Sequence, residues 1–387
     1  MIELCSSKEC TGCGACMNAC PKHAISMCPD SEGFLQPVIT HSLCIECKLC
    51  QKVCHVLNPL VKHPKVKNPL AALAKSDEIR QKSSSGGIFS LFATQILLHK
   101  GVVFGAVFNE DYDVIHRKAT NLEELSALRG SKYVQSNTLD TYKEVKAYLK
   151  QSIDVLYTGT ACQIAGLYRF LGKADLSHLY TVDLVCHGVP SPKSFHLYLL
   201  KLAEKEQCAV KDIQNFSFRD LRGWNVTPSF KINNERTISN QPVAENLYMS
   251  LFLTSRLNRE CCYQCQYATN DRVSDITIAD FWGIGDEKPF VYNTSNGCSL
   301  VLLNSKKGET LFCEIEEQLE YDVREWSEAL AQNHQLYTPS TRPKDRDKVY
   351  SYFEKHSYDE TYTYFFNNYS IRFRRLIGSL LKRLHLR

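Results

Sequence analysis

The sequence predicts three parts in order: a small α+β module rich in cysteine, an α/β body, and a helical C-terminal tail. Three observations predict this. Ten of the 18 cysteines fall within the first 54 residues. Between Gly101 and Cys186, short apolar runs alternate as strand, loop, helix and strand. Beyond Thr338 the composition turns aromatic and then basic, with apolar residues at helical spacing. A chain of 387 residues, 44% apolar, has room for two or three globular domains. Its net charge of +4 is too small to imply a nucleic-acid partner. No apolar run is long enough to predict a transmembrane helix. The opening MIELCSSKEC carries no apolar signal segment, which argues against a secreted disulfide scaffold and for a cytoplasmic setting.

The first part spans residues 1–57. It holds two matched runs, Cys10-x-x-Cys13-x-x-Cys16-x-x-x-Cys20-Pro21 and Cys44-x-x-Cys47-x-x-Cys50-x-x-x-Cys54. Two-residue gaps let three thiolates converge from one tight loop, while the fourth lies too far along and ligates the other cluster. One 4Fe–4S cluster is therefore expected on Cys10, Cys13, Cys16 and Cys54, and a second on Cys44, Cys47, Cys50 and Cys20. Gly12 and Gly14 keep the first loop compact. Zinc also accepts four thiolates but seldom needs two such matched runs. Cys5 and Cys28 fall outside the pattern and read as packing residues.

Residues 58–81 open with NPLVKHPKVKNP, whose three prolines and three lysines read as an extended linker. The body is expected over 82–338. In KSSSGGIFS, the serines and paired glycines read as the cap of a helix starting near Ile88, with amides free for an anion. Gly101–Phe108 reads as a strand or hairpin arm, Asp154–Thr160 and Leu179–Cys186 as buried strands, and ACQIAGLYRFLG as the helix between them. The strand-end loops carry Thr158, Thr160, Cys162, Gln163, Cys186 and His187, at the end of the sheet where α/β proteins bind ligands. No G-x-G-x-x-G fingerprint is present, so a nicotinamide Rossmann site is not supported.

The N-terminal module resembles a bacterial two-cluster ferredoxin domain. Further motifs lie downstream: SSSGG (83–87), GSKYVQS (130–136), TGTACQIAGL (158–167), DLVCHGVPSP (183–192), RECCYQC (259–265) and SDITIADFWGI (274–284). Together they resemble the beta-subunit family of deazaflavin-reducing hydrogenases and formate dehydrogenases, which also includes iron–sulfur flavoenzymes that reduce a hydroxymethyl chlorophyll. The resemblance implies a flavin-binding body with FAD held by Ser84, Ser85, Gly86, Gly87, Lys132, Tyr133, Gln135, Thr160 and Gln163. Two positions depart from the pattern: Ala161 stands where proline is usual and Ala279 where glycine is usual. His187 is a candidate proton donor or a turn residue bonded to backbone. Asp280 reads as a partner for a basic group or a turn cap, and Trp282 as a flavin neighbour or core filler.

In the resembling motifs, Cys162, Cys186, Cys262 and Cys265 form a candidate set for a third 4Fe–4S cluster. A zinc site, a redox dithiol and inert burial are the competing readings. Cys208, Cys298 and Cys313 read as packing residues. Residues 339–387 form the tail, which ends in IRFRRLIGSLLKRLHLR. From Ile371 on, a basic amphipathic helix is expected, suited to peripheral contact with an anionic membrane face, to this protein or to a partner. The expected function is an iron–sulfur flavoprotein oxidoreductase fed by a ferredoxin or other low-potential donor and acting on a small-molecule substrate. The alternatives are an electron-transfer subunit joined to a larger hydrogenase or formate dehydrogenase, and a non-catalytic scaffold.

Overall fold

In the computed structural model, residues 2–219, 223–238 and 246–367 are described. The cysteine module contains helix α1 (Ala15–Ala19), the antiparallel hairpin of β1 (Ile25–Pro29) and β2 (Leu35–Ile39), and the single-turn helix α2 (Leu49–Lys52). Its own apolar centre is small, built on Ile2, Ile25 and Cys50. Elements this short bury too little surface to stand on hydrophobic packing alone.

The body follows with β3 (Leu70–Ala74), α3 (Asp77–Gln81), α4 (Ile88–Leu98), β4 (Val102–Phe108), β5 (Val114–Ala119), α5 (Leu122–Leu128), α6 (Thr141–Leu149), β6 (Val155–Thr160), α7 (Ala161–Leu171), β7 (Leu179–Leu184) and α8 (Pro192–Glu206). A separate antiparallel sheet contains β8 (Ile213–Ser217), β9 (Ser229–Ile232) and β10 (Arg236–Ile238). Then come α9 (Leu247–Leu253), β11 (Ile276–Asp280), β12 (Ser299–Leu303), α10 (Lys306–Ile315), β13 (Leu319–Val323) and α11 (Trp326–Gln332). The main sheet runs in the order β13-β3-β12-β11-β7-β6-β4-β5. Strands β4, β6, β7 and β11 are parallel neighbours, so their carboxyl ends share one edge of the sheet. The expected strands at β4, β6 and β7 and the helices α4 and α7 are all present. Of the serines and paired glycines expected to cap α4, Gly87 takes the N-cap position, with no side-chain cap bond.

One departure from the sequence reading concerns a boundary. Residues 70–81, read as linker, form β3 and α3. Ala71, Ala72, Leu73 and Ala74 have no exposed surface, and such small side chains let β3 lie between β12 and β13. The aromatic segment after residue 345 forms α12 (Arg346–Lys355), α13 (Tyr358–Tyr362) and a π turn over Thr363–Asn367, giving the helical C-terminal tail. It packs into the body: Val349, Tyr350, Phe353 and Tyr358 join the α8 and α9 core, and Tyr358 Oη accepts from Leu247 N at 2.9 Å. Each such fully buried aromatic contributes on the order of 1.5–3 kcal/mol. The expected amphipathic helix at 371–387 lies outside the described residues. Among those described, no helix is long and apolar enough to cross a membrane.

Candidate functional site

The crossed pairing of the two cysteine runs is visible in space. One small hollow is lined by Cys10, Cys13, Cys16 and Cys54, and another by Cys20, Cys44, Cys47 and Cys50. Cys47 is exposed, so the second set faces outward, while the first faces the body. Cys5 shares the first hollow with Cys10 and Cys54, a closeness that its spacing did not suggest.

Several polar contacts fasten the first set to the body. Asn18 donates to Leu139 O at 2.7 Å and Thr138 to Cys13 O at 3.0 Å. Buried His55 bonds Thr11 Oγ1 at 2.9 Å with one ring nitrogen and Tyr267 Oη at 2.7 Å with the other. Burial pushes His55 down to about 4, so the ring is neutral and serves as a bridge rather than a charge. Gly12, at φ +68°, leaves no space for a side chain: a Cβ there would stand 2.2 Å from Gln135 Nε2 and 2.9 Å from Arg259 Nη1. Gly166 plays the same part inside α7, where an added Cβ would meet Cys13 Sγ at 2.8 Å. One helical turn separates Gly166 from Cys162, a rise of about 6 Å. Cys13 of the cysteine module therefore packs against α7 one turn from Cys162. Gly166→Ala adds about 1 kcal/mol of helix propensity, yet it is expected to lose or distort the first-set iron. Iron content and the reduced EPR spectrum check this; wild-type values for both would contradict it.

Cys162 stands in the first turn of α7, Cys186 just past β7, Cys262 in the 3-10 turn at Glu260–Gln264, and Cys265 at that turn's C-cap. The structure brings all four together. Burial pushes the Cys162 thiol far up and Cys186 to about 12, and both are raised further by Cys262 and Cys265. Four clustered thiols this hard to ionise need a bound cationic centre to become thiolates. No three His, Cys, Asp or Glu side chains among the described residues close on a single metal ion. The neighbouring Cys261 raises the Cys262 thiol further, Cys298 is fully buried, Cys208 packs on the aromatic core, and Cys313 is exposed rather than packed.

At the carboxyl ends of β6, β7 and β11 lies a cavity of about 420 Å³, within the range of roughly 300–1,000 Å³ usual for cofactor sites. Ser84, Ser85, Gly87, Lys132, Tyr133, Gln135, Thr160 and Gln163 all line it. Gly86 does not: it packs against β3 and β12, its amide on Ser299 Oγ at 3.1 Å. Ser84 Oγ accepts from Ser131 N at 2.9 Å, which leaves its own proton to donate, whereas Ser85 donates to Cys298 O. Thr160 and Gln163 form the capping box of α7. Lys132 Nζ donates to Ala127 O and Arg129 O, and burial pushes its ammonium down to about 7. Gln135 Nε2 and Arg129 Nε are buried without partners. An unneutralised cation and orphaned donors on one wall fit an anionic, hydrogen-bond-accepting ligand such as a dinucleotide. Cys162 and Cys186 line the same cavity, as does Thr11 from the cysteine module.

One further wall residue, His116, carried no sequence signal. His116 is buried and stacked on Tyr157, with centroids 5.4 Å apart. Its Nε2 donates to Thr158 O at 2.9 Å, so Nδ1 accepts from Ser136 Oγ at 3.0 Å, which in turn accepts from Gln163 Nε2 at 2.9 Å. Burial lowers His116 to about 4, consistent with a neutral ring that fixes Ser136 and Gln163. Asp280 holds a basic neighbour: Arg219 donates to it at 2.7 Å and Trp224 Nε1 at 2.6 Å. Trp282 lines the cavity and stacks on Trp224 at 4.6 Å. His187 reaches Ser255 Oγ at 3.2 Å, and burial lowers its pKa, so it is poorly charged.

The fold and its converging cysteines define an iron–sulfur electron-transfer module. The chain belongs to the coenzyme F420 hydrogenase/dehydrogenase beta-subunit family: residues 70–143 match its N-terminal part and 153–329 its C terminus, well over half of the chain. Residues 9–57 match a 4Fe-4S dicluster domain. No curated protein sequence matches the chain. A chain in the xenon-derivatised F420-reducing [NiFe] hydrogenase complex from Methanosarcina barkeri is similar at 18% identity and a TM-score of 0.47, over 68% of this chain and 85% of that one. At that level the likeness carries no functional argument.

Proposed function

We propose that this chain is the electron-relay subunit of a larger oxidoreductase, with FAD in the cavity and iron–sulfur clusters on three cysteine sets. The carrying observation is that Cys162 and Cys186 stand in the wall of the cavity that also gathers the SSSGG, SKYVQ and GTACQ residues. When bound, FAD supplies the exchange between single electrons and an electron pair delivered as hydride. The outward set at Cys20, Cys44, Cys47 and Cys50 faces a low-potential donor or a larger redox subunit. The set at Cys10, Cys13, Cys16 and Cys54 joins it to the late set through the Gly166 contact and the His55–Tyr267 bridge. Lys132 and the α4 N-terminus bind negative charge, Tyr133 offers an aromatic face, and His116 orients Ser136 and Gln163. A deazaflavin coenzyme is the substrate that the family suggests, and the cytoplasm, with or without contact to the membrane's inner face, is the proposed setting. A second reading, a self-contained flavoenzyme, is favoured by the Trp282–Asp280 wall, which lies beyond the FAD residues and leaves the cavity a second polar–aromatic side.

The partner is tested by anaerobic purification from the native host: a co-purifying metal-containing subunit supports the relay reading, and an isolated chain active on a small molecule supports the second. The flavin site is tested at Lys132. A lysine near pKa 7 gains a proton when negative charge binds beside it. Affinity of the apoprotein for FAD is therefore expected to be greatest below pH 7 and to fall about tenfold per unit above it, until the raised pKa of the complex is passed. Lys132→Met is expected to weaken FAD binding about tenfold to hundredfold and to flatten that pH profile. Fluorescence titration reads both; unchanged affinity and slope would remove Lys132 from the site.

A further inference from the structure

Arg259 opens the ECCYQC stretch and is only 2% exposed. Its Nε donates to Cys10 O at 2.7 Å and its Nη1 to Leu35 O at 3.0 Å, while its guanidinium carbon lies 5.5 Å from the Phe34 ring centroid. Nη2 is buried without a partner. No carboxylate among the described residues neutralises it: Glu260 is taken by Arg342 at 2.9 Å and Glu32 by Arg346 at 2.6 Å. A buried guanidinium with no counter-charge costs several kcal/mol of desolvation. Two backbone carbonyls recover part of that. The remaining neighbours with negative character are sulfurs: the charge of Arg259 acts on Cys10 of the first set and Cys262 of the late set. Cys262 N also donates to Arg259 O at 2.9 Å, which ties the late turn to the residue that grips the Cys10 loop.

We propose that Arg259 is a positioning residue shared by the first and late cysteine sets, its unpaired buried charge standing between them as the counter-charge to both clusters. The proposal rests on the reading that both sets hold clusters. Each one-electron reduction adds a unit of negative charge to a thiolate-bound cluster. A fixed cation beside it favours the reduced form and raises the potential. Electrons supplied by a low-potential donor then collect on these two clusters, next to the cavity, rather than on the outward one.

The test uses the full chain purified anaerobically, with iron and flavin counted first, then titrated with dithionite and followed by EPR. Arg259→Gln with wild-type iron is expected to lower the reduced-to-oxidised ratio of the inner clusters at a fixed potential by at least about tenfold, 59 mV for one electron, leaving the outward cluster unmoved. Arg259→Lys, which keeps the charge, is expected to stay within about tenfold of wild type. It carries the test if Arg259→Gln fails to assemble. Unchanged inner potentials in a fully loaded Arg259→Gln, or a fall in Arg259→Lys as large as in Arg259→Gln, overturns the proposal. Wild-type protein lacking iron in either set refutes the reading beneath it instead.

Discussion

Replacing Cys262 and Cys265 together with alanine is expected to remove about four irons per chain and to disconnect bound flavin from the dicluster domain. This pair is the informative choice because neither residue lines the cavity, whereas Cys162 and Cys186 do. The FAD site should survive, so flavin content should stay at the wild-type level. Reduction of that flavin by dithionite-reduced clusters should slow by more than the roughly tenfold to hundredfold that outer-shell changes at metal sites cost. The thiols left behind, raised by burial and by each other, will not hold a cluster alone. Stopped-flow absorbance reads the flavin rate directly. A wild-type rate in protein that has lost the four irons would show that electrons reach the cavity without the late set.

The second large effect is expected at Cys54. Cys54→Ser should remove the cluster built on Cys10, Cys13 and Cys16, although Cys54 belongs to the other run by sequence. The reason is spatial: Cys54 shares the hollow of the first three thiols, and Cys20 that of Cys44, Cys47 and Cys50. Cys54→Ser should also destabilise the whole module, because its short elements depend on metal binding for their folding free energy. The EPR signal of the outward cluster should remain in Cys54→Ser and disappear in Cys20→Ser. Loss of the outward signal in Cys54→Ser, with the inner one intact, would mean that each run binds its own cluster.

Much of this was legible in the sequence, and the reasons for the rest are physical. The cysteine runs were readable because ligand spacing is local. Strands β4, β6 and β7 and helix α7 were readable because their apolar periods are clean and their ends are marked. Strand β3 was not: LAALA follows a proline-rich stretch, and only its pairing with β12 and β13, more than 200 residues away, makes it a strand. The aromatic segment from α12 onward gave no hint of its partners, because burial against α8 and α9 is a property of the folded chain. His116 had no motif around it, yet it holds Ser136 and Gln163 across the sheet end. Gln163 and Thr160 were singled out for a ligand, and both spend hydrogen bonds on capping α7. Arg259 lay inside a recognised motif, but its grip on Cys10, 249 positions away, follows only from topology.

The central claim is that three cysteine sets and one flavin form a continuous path from the outward face of the dicluster domain to the cavity. Cofactor quantitation on anaerobically purified full-length protein tests it most directly. One FAD and about twelve irons, with matching sulfide, are expected per chain. About eight irons per chain, or iron without flavin, would contradict it.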